Sequence, residues 1–222
     1  MKNIRMDKIS NSTFRLKRFS HFTDLIRNIN YTGRPLRILD VGGEEAYWID
    51  KIDLIQRPVE ITLVNLWQVK TSNPNFISLA GDARSMKSFS DNSFDVVHSN
   101  SVIEHVGRWK DMRAMADEVR RLAPSYFLQT PYFWFPIEPH FRSVGFHWLP
   151  EPIRARLLMS RSHGFIQKSP DFDSAMSAVE GSVLLDRPML ADLFPDATIV
   201  FETVYGLRKS MMAIRAAPIA DN

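Results

Sequence analysis

The 222-residue chain contains no cysteine. Disulfides, thiolate metal sites and a cysteine nucleophile are therefore excluded, and a reducing compartment is compatible with the sequence. No run approaches the ~18 apolar residues needed to span a bilayer. The opening Met1-Lys2-Asn3-Ile4-Arg5-Met6-Asp7-Lys8 also lacks the apolar centre of a secretion signal. A cytoplasmic protein is the expectation. Charge of one sign is scarce as well: 28 Lys and Arg against 25 Asp and Glu leave a formal net charge of +3, too small to imply nucleic-acid binding. Within residues 1–27, seven Lys or Arg against two Asp form a basic N-terminal arm, read first as a solvated face. No polar linker, internal repeat or low-complexity tract divides the chain. Its 45% apolar and 24% charged residues match a globular protein with a substantial core, and one domain carrying an insertion is expected.

Short apolar runs that stop at turns dominate what is present. Arg37-Ile38-Leu39-Asp40-Val41 leads into Gly42-Gly43, a second run ends at Asn65-Leu66, and Phe76 to Leu79 precedes Gly81-Asp82-Ala83. Glycine lets backbone approach a ligand closely, so this series reads as the nucleotide-binding half of a Rossmann-like sheet. A fourth strand, Phe94 to Ser99, follows the turn Asp91-Asn92-Ser93, and Tyr126 to Gln129 supplies a fifth. Helices are predicted over Phe19–Asn30 and Ala46–Gln56 and along the stripe Met112, Met115, Val119, Leu122, which is read as core. This alternation predicts an α/β fold with a mostly parallel sheet and helices on both faces. Near the end, Asp186 caps a helix through Phe194, and Thr198–Val204 with Ser210–Ile214 make an antiparallel hairpin.

Between the fifth strand and that hairpin lies a segment too long for an ordinary connection, about 131–180, expected to be a lid or substrate insertion. It opens with Tyr132, Phe133, Trp134, Phe135, Phe141, Phe146 and Trp148 interleaved with prolines and with His140 and His147. Such aromatics either stack on a sugar or planar acceptor or bury the lid against its domain. Pro152 to Ser162 reads as a basic amphipathic helix, with Ile153, Leu157 and Leu158 apolar. Its basic face either is solvated or meets an anionic surface, so peripheral membrane contact stays open.

Leu39-Asp40-Val41-Gly42-Gly43, Asn65, Gly81-Asp82-Ala83 and Asp91 to Val97 leading to Ile103-Glu104-His105-Val106 together resemble the class I S-adenosylmethionine-dependent methyltransferases. The resemblance is to the small-molecule group whose fourth strand precedes a Glu-His pair, and it covers about residues 36–130. It implies a Rossmann-like sheet of seven strands with an antiparallel last strand. One methyltransferase-like domain over residues 1–222 follows, with the basic arm and helix at 1–33. The implied cofactor is S-adenosyl-L-methionine. In this resemblance Gly42 and Gly43 admit its methionine part, Asp40 holds the ammonium and Asn65 faces the ribose. Leu66 packs on adenine, Asp82 accepts from the adenine amino group, Ala83 offers an amide, and Ser99 and Asn100 line the far side. Two departures stand out: Glu44 and Ala46 replace glycines of the family's turn, and Asn65 replaces an acidic residue.

Transfer from a sulfonium needs alignment more than acid-base machinery, but a hydroxyl acceptor gains from a base. His105 and His140 are the candidate catalytic residues. Glu104, His105 and His140 could also gather round a divalent cation. A metal-dependent subgroup places a further Glu where this chain has Ser101, and the expectation is no metal. The reading is a transferase that methylates a small-molecule or glycan acceptor, at oxygen rather than nitrogen. Its rivals are a noncatalytic methyltransferase-fold binding protein, a nicotinamide-dependent oxidoreductase and a nucleic-acid methyltransferase.

Overall fold

The computed structural model describes residues 2–30 and 33–217. Of the basic arm and helix expected at 1–33, Met1, Tyr31 and Thr32 lie outside the described residues. Helix α1 (Lys2–Arg27) is much longer than the apolar spacing alone predicts, because only its last turns carry an apolar stripe. There Phe19, Phe22, Leu25 and Ile26 are buried.

Five parallel strands follow: β1 (Leu36–Val41), β2 (Val59–Asn65), β3 (Phe76–Ala80), β4 (Val96–Asn100) and β5 (Ser125–Pro131). Strand β9 (Leu207–Arg215) runs antiparallel between β5 and β8 (Thr198–Val204), completing a seven-stranded sheet in the order β3-β2-β1-β4-β5-β9-β8. The central strands are buried on both faces, which explains their near-continuous apolar runs. One face is covered by α1 and Trp48. The other is covered by α3 (Trp109–Leu122), through Met112, Met115, Ala116, Val119 and Leu122, and by α6 (Arg187–Leu193). Asp186 caps α6 as expected, accepting from the Met189 amide.

The helix expected over Ala46–Gln56 is instead broken into α2 (Glu45–Trp48) and a 3-10 turn (Ile52–Ile55) that ends at left-handed Gln56. The break lets Trp48, fully buried, reach under the sheet end and donate to Asp40. Between β5 and α6 lie a small hairpin, β6 (Ile137–Glu138) with β7 (Ser143–Val144), and two helices, α4 (Glu151–Ser160) and α5 (Phe172–Glu180). Their buried faces form a separate apolar cluster around Phe141, Phe146, Ala155, Leu158, Ala175 and Val179. The buried stripe of α4 is thus Ala155 and Leu158, and Ile153 points outward. Among the described residues, no helix is long and apolar enough to cross a membrane.

Candidate active site

Strand order reverses on either side of β1, so the loops after β1 and β4 diverge and leave a crevice at the carboxyl ends of the strands. A cavity of about 460 Å³ occupies it, within the range of small-molecule sites. Gly42, Asn65, Leu66, Asp82, Ala83 and His105 line it, as do Trp67, Arg84, Ser101 and Val102.

The Asn65 amide donates through Nδ2 to the Gly43 carbonyl at 2.9 Å. Only Oδ1 is then left to accept from a ligand hydroxyl. Gly42 is left-handed (φ +74°), and a Cβ there would come within 2.4 Å of Val102, so this glycine keeps the turn and the Val102 side chain in contact. Asp82 is engaged on both carboxylate oxygens by Arg84, which also reaches Asp111. That guanidinium hydrogen bond holds the Asp82 carboxyl below its usual range despite some desolvation.

Several residues expected at the ligand lie elsewhere. Asp40 is buried beneath the turn, accepting from Trp48 Nε1 and from His98 Nδ1, each at 2.7 Å. Parallel pairing sets Asp40 beside His98 across β1 and β4. The same carboxylate explains Gly43, whose Cβ would fall 1.6 Å from Asp40 Oδ2. Ser99 is fully buried and donates to the Val41 carbonyl, while Asn100 accepts from Arg18 at 2.8 Å. Arg18, expected on a solvated arm, reaches Asn100, Gln129 and Glu202 together. Trp67 and Arg84 were not singled out by motif; their nearness to Asn65 and Asp82 is the signal that marks them.

Beyond the cavity mouth, the turn after β4 (Ile103–His105) meets the hairpin of the insertion. His105 donates from Nδ1 to the Gly181 carbonyl at 2.7 Å, at the carboxyl end of α5. His140 donates from Nδ1 to Glu138 Oε1 at 2.6 Å. The two Nε2 atoms face each other at 3.0 Å. Desolvation lowers the His105 pKa, and the His140 charge adds to that. Desolvation also opposes charge on His140, but Glu138 and Glu104 outweigh it and raise its pKa. Glu104 is fully buried, and that burial pushes its carboxyl up to about 7. Thr130 donates to Oε2, whereas Oε1 has no partner among the described residues. His147 donates to the Phe133 carbonyl and is structural.

The expected aromatic cluster is present but divided in role. Phe141 and Phe146 are buried in the insertion's own core, and Trp134 and Trp148 remain exposed with rings 6.3 Å apart.

Residues 33–125 match the family model of a methyltransferase domain. That match overlaps the stretch, about residues 36–130, over which the sequence resembles the class I S-adenosylmethionine-dependent methyltransferases. No curated protein matches it in sequence. Among solved structures, an S-adenosylmethionine-dependent methyltransferase of Methanosarcina mazei is 15% identical, with 86% of this chain and 94% of that one aligned at a TM-score of 0.50. The DszA carbon methyltransferase is 14% identical over 88% of this chain and 51% of its own, also at 0.50. A Rhodobacter sphaeroides protein provisionally described as a zinc-dependent alcohol dehydrogenase is 12% identical over 86% and 87%, at 0.51. At such identities the likeness establishes the fold alone. The chain spans about half the length of several structures that it matches.

S-adenosylmethionine is the cofactor that the methyltransferase-domain match indicates, and the cavity fits it in chemistry. Apolar walls from Val64, Leu66, Trp67 and Val102 suit a purine, and Asn65 Oδ1 and Asp82 are acceptors at one rim.

Proposed function

We propose that this methyltransferase transfers a methyl group to an oxygen of a small-molecule or glycan acceptor, held between the strand-end cavity and the lid of residues 131–180. The observation that carries the reading is His105, which lines the cavity and meets His140 of the insertion through Nε2 at 3.0 Å. Bound S-adenosylmethionine supplies an activated methyl on a sulfonium. Asn65 Oδ1 would accept from the ribose, Leu66 and Trp67 would flank the adenine, and Asp82 would accept from its amino group. Val102, packed on Gly42, would exclude water from the transfer path. The His105 and His140 pair would take the proton that an acceptor hydroxyl loses, with Glu138 and the Gly181 carbonyl orienting the two rings.

Calorimetry with S-adenosylhomocysteine tests the donor site: micromolar binding is expected, and none at millimolar ligand rejects it. Methyl transfer from labelled S-adenosylmethionine to a panel of hydroxylated small molecules and oligosaccharides tests the acceptor class. One observation favours a second reading, a noncatalytic binding protein on the same fold. Arg84 already occupies both oxygens of Asp82, and Glu44 stands where the family turn has glycine. Transfer to any acceptor eliminates that alternative.

A further inference from the structure

Two histidines confront each other through the same ring nitrogen. Each Nδ1 is committed as a donor, His105 to the Gly181 carbonyl and His140 to the Glu138 carboxylate. When both rings are neutral, both Nε2 atoms therefore carry lone pairs, and these point at each other across 3.0 Å. The arrangement requires a cation between them. One carboxylate oxygen of buried Glu104 and one ring nitrogen of each histidine lie within 4.8 Å of one another. A buried carboxylate oxygen without a partner is costly unless something unseen satisfies it, and Glu104 Oε1 is such an atom.

A proton would settle the two nitrogens but would leave Glu104 Oε1 unserved. A divalent ion satisfies all three groups. We propose that Glu104, His105 and His140 form a binding site for one divalent transition-metal ion of the zinc class. Two bonds of ~2.05 Å spanning the observed separation subtend roughly 95°, between octahedral and tetrahedral values. Two imidazoles and one carboxylate are a donor set used by zinc. The outer partners also have the required form: ligating histidines donate their other ring N–H to a carboxylate or a carbonyl. Here Glu138 and Gly181 fill those places, and Thr130 holds the second oxygen of Glu104.

Three protein ligands leave positions open, and His105 borders the cavity. In the metal-loaded protein both Nε2 atoms are ligands, so the ion would take over from the histidine pair the task of acidifying an acceptor hydroxyl, whose proton passes to solvent; this role rests on the methyltransferase reading. Acceptors bearing a hydroxyl or adjacent hydroxyls are the class it would take.

Chelator-treated full-length protein should bind one equivalent of Zn2+ in calorimetry and give a Co2+ visible absorption spectrum. His105→Ala and His140→Ala should each lose the spectrum and weaken Zn2+ binding at least about 100-fold, and Glu138→Gln should weaken it about 10- to 100-fold. Glu104→Gln should shift the Co2+ bands, and circular dichroism checks that each variant is folded. S-adenosylhomocysteine affinity, measured on the same samples, should be unchanged in His140→Ala. No stoichiometric binding by the wild type, or binding that survives both histidine variants, overturns the site. Donor-product binding without metal binding removes the metal site and leaves the methyltransferase reading intact. Metal binding without donor-product binding does the reverse.

Discussion

Arg84 grips both carboxylate oxygens of Asp82, with Nη2 to Oδ2 at 2.7 Å and Nε to Oδ1 at 2.9 Å, in the lining of the strand-end cavity. The pair is more than a third exposed on both sides, where an ion pair contributes about 1 kcal/mol or less. An adenine amino group would therefore compete with Arg84 for the same acceptor at modest cost. Asp82→Ala is expected to weaken S-adenosylhomocysteine binding about 5- to 30-fold. Arg84→Gln should tighten it by up to about fivefold. Calorimetry on the two variants checks both, and equal weakening would show that Arg84 supports the ligand rather than competing for Asp82.

Gly43 tests whether the turn serves the ligand or the core. Gly43→Ala would press its Cβ into Asp40 Oδ2, which Trp48 and His98 hold in place. A loss of at least about 2 kcal/mol in urea unfolding is expected, before any effect on ligand binding. A stable Gly43→Ala with impaired donor affinity would reverse that assignment.

Asp95 gives the fold a defined acid sensitivity. Burial would raise its pKa, but the hydrogen bonds and charges of Arg34 and Arg37 outweigh burial and leave the carboxyl below its ordinary 3.8. A lowered folded pKa stabilises above the unfolded value and loses that contribution as pH falls through the folded value. Asp95→Asn should thus cost about 1 kcal/mol near pH 7, with the difference from wild type vanishing as pH falls well below 3.8. Denaturation midpoints taken across that interval decide it; a constant gap would mean the ion pair is irrelevant.

Arg18 ties α1 to the sheet. It bridges Asn100 on β4, Gln129 on β5 and Glu202 on β8, and Glu202 is only 8% exposed. Arg18→Ala strands Glu202 with Ser210 as its remaining partner and should destabilise by about 2–4 kcal/mol. Combining it with Glu202→Gln should recover part of the loss, as a double-mutant cycle would show.

The strands were legible because burial on both faces demands apolar runs, and Ile38, Leu63 and Val97 declare themselves without reference to anything distant. The cavity residues Asn65, Leu66 and Asp82 came from the family resemblance, which sets them at strand ends that border the crevice. Asp40 did not. Its role depends on a register that places His98 beside it and on a helix break that swings Trp48 beneath it, neither of which is local. Arg18 adjoins the buried Phe19, but the run of Lys and Arg around it made the stretch read as a solvated arm. Helix α5 was not anticipated, although Asp171 caps it and Ala175 with Val179 mark its buried face. The Glu104, His105 and His140 grouping was visible as residue types. Only the folded chain reveals that their free atoms converge.

One consequence follows from where the insertion is fastened. His140 comes from its near end and the Gly181 carbonyl from its far end, and both bear on the single side chain of His105. Between them, α4 and α5 pack around a small apolar nucleus of their own, with Glu151 and Glu180 also paired to Arg108. Exchanging the outward-facing Trp134, Trp148 and Phe165 for other groups is therefore expected to leave the His105–His140 contact intact. On the proposed reading, acceptor preference would be interchangeable in the manner of a replaceable tool head, while the jaw that holds it stays constant.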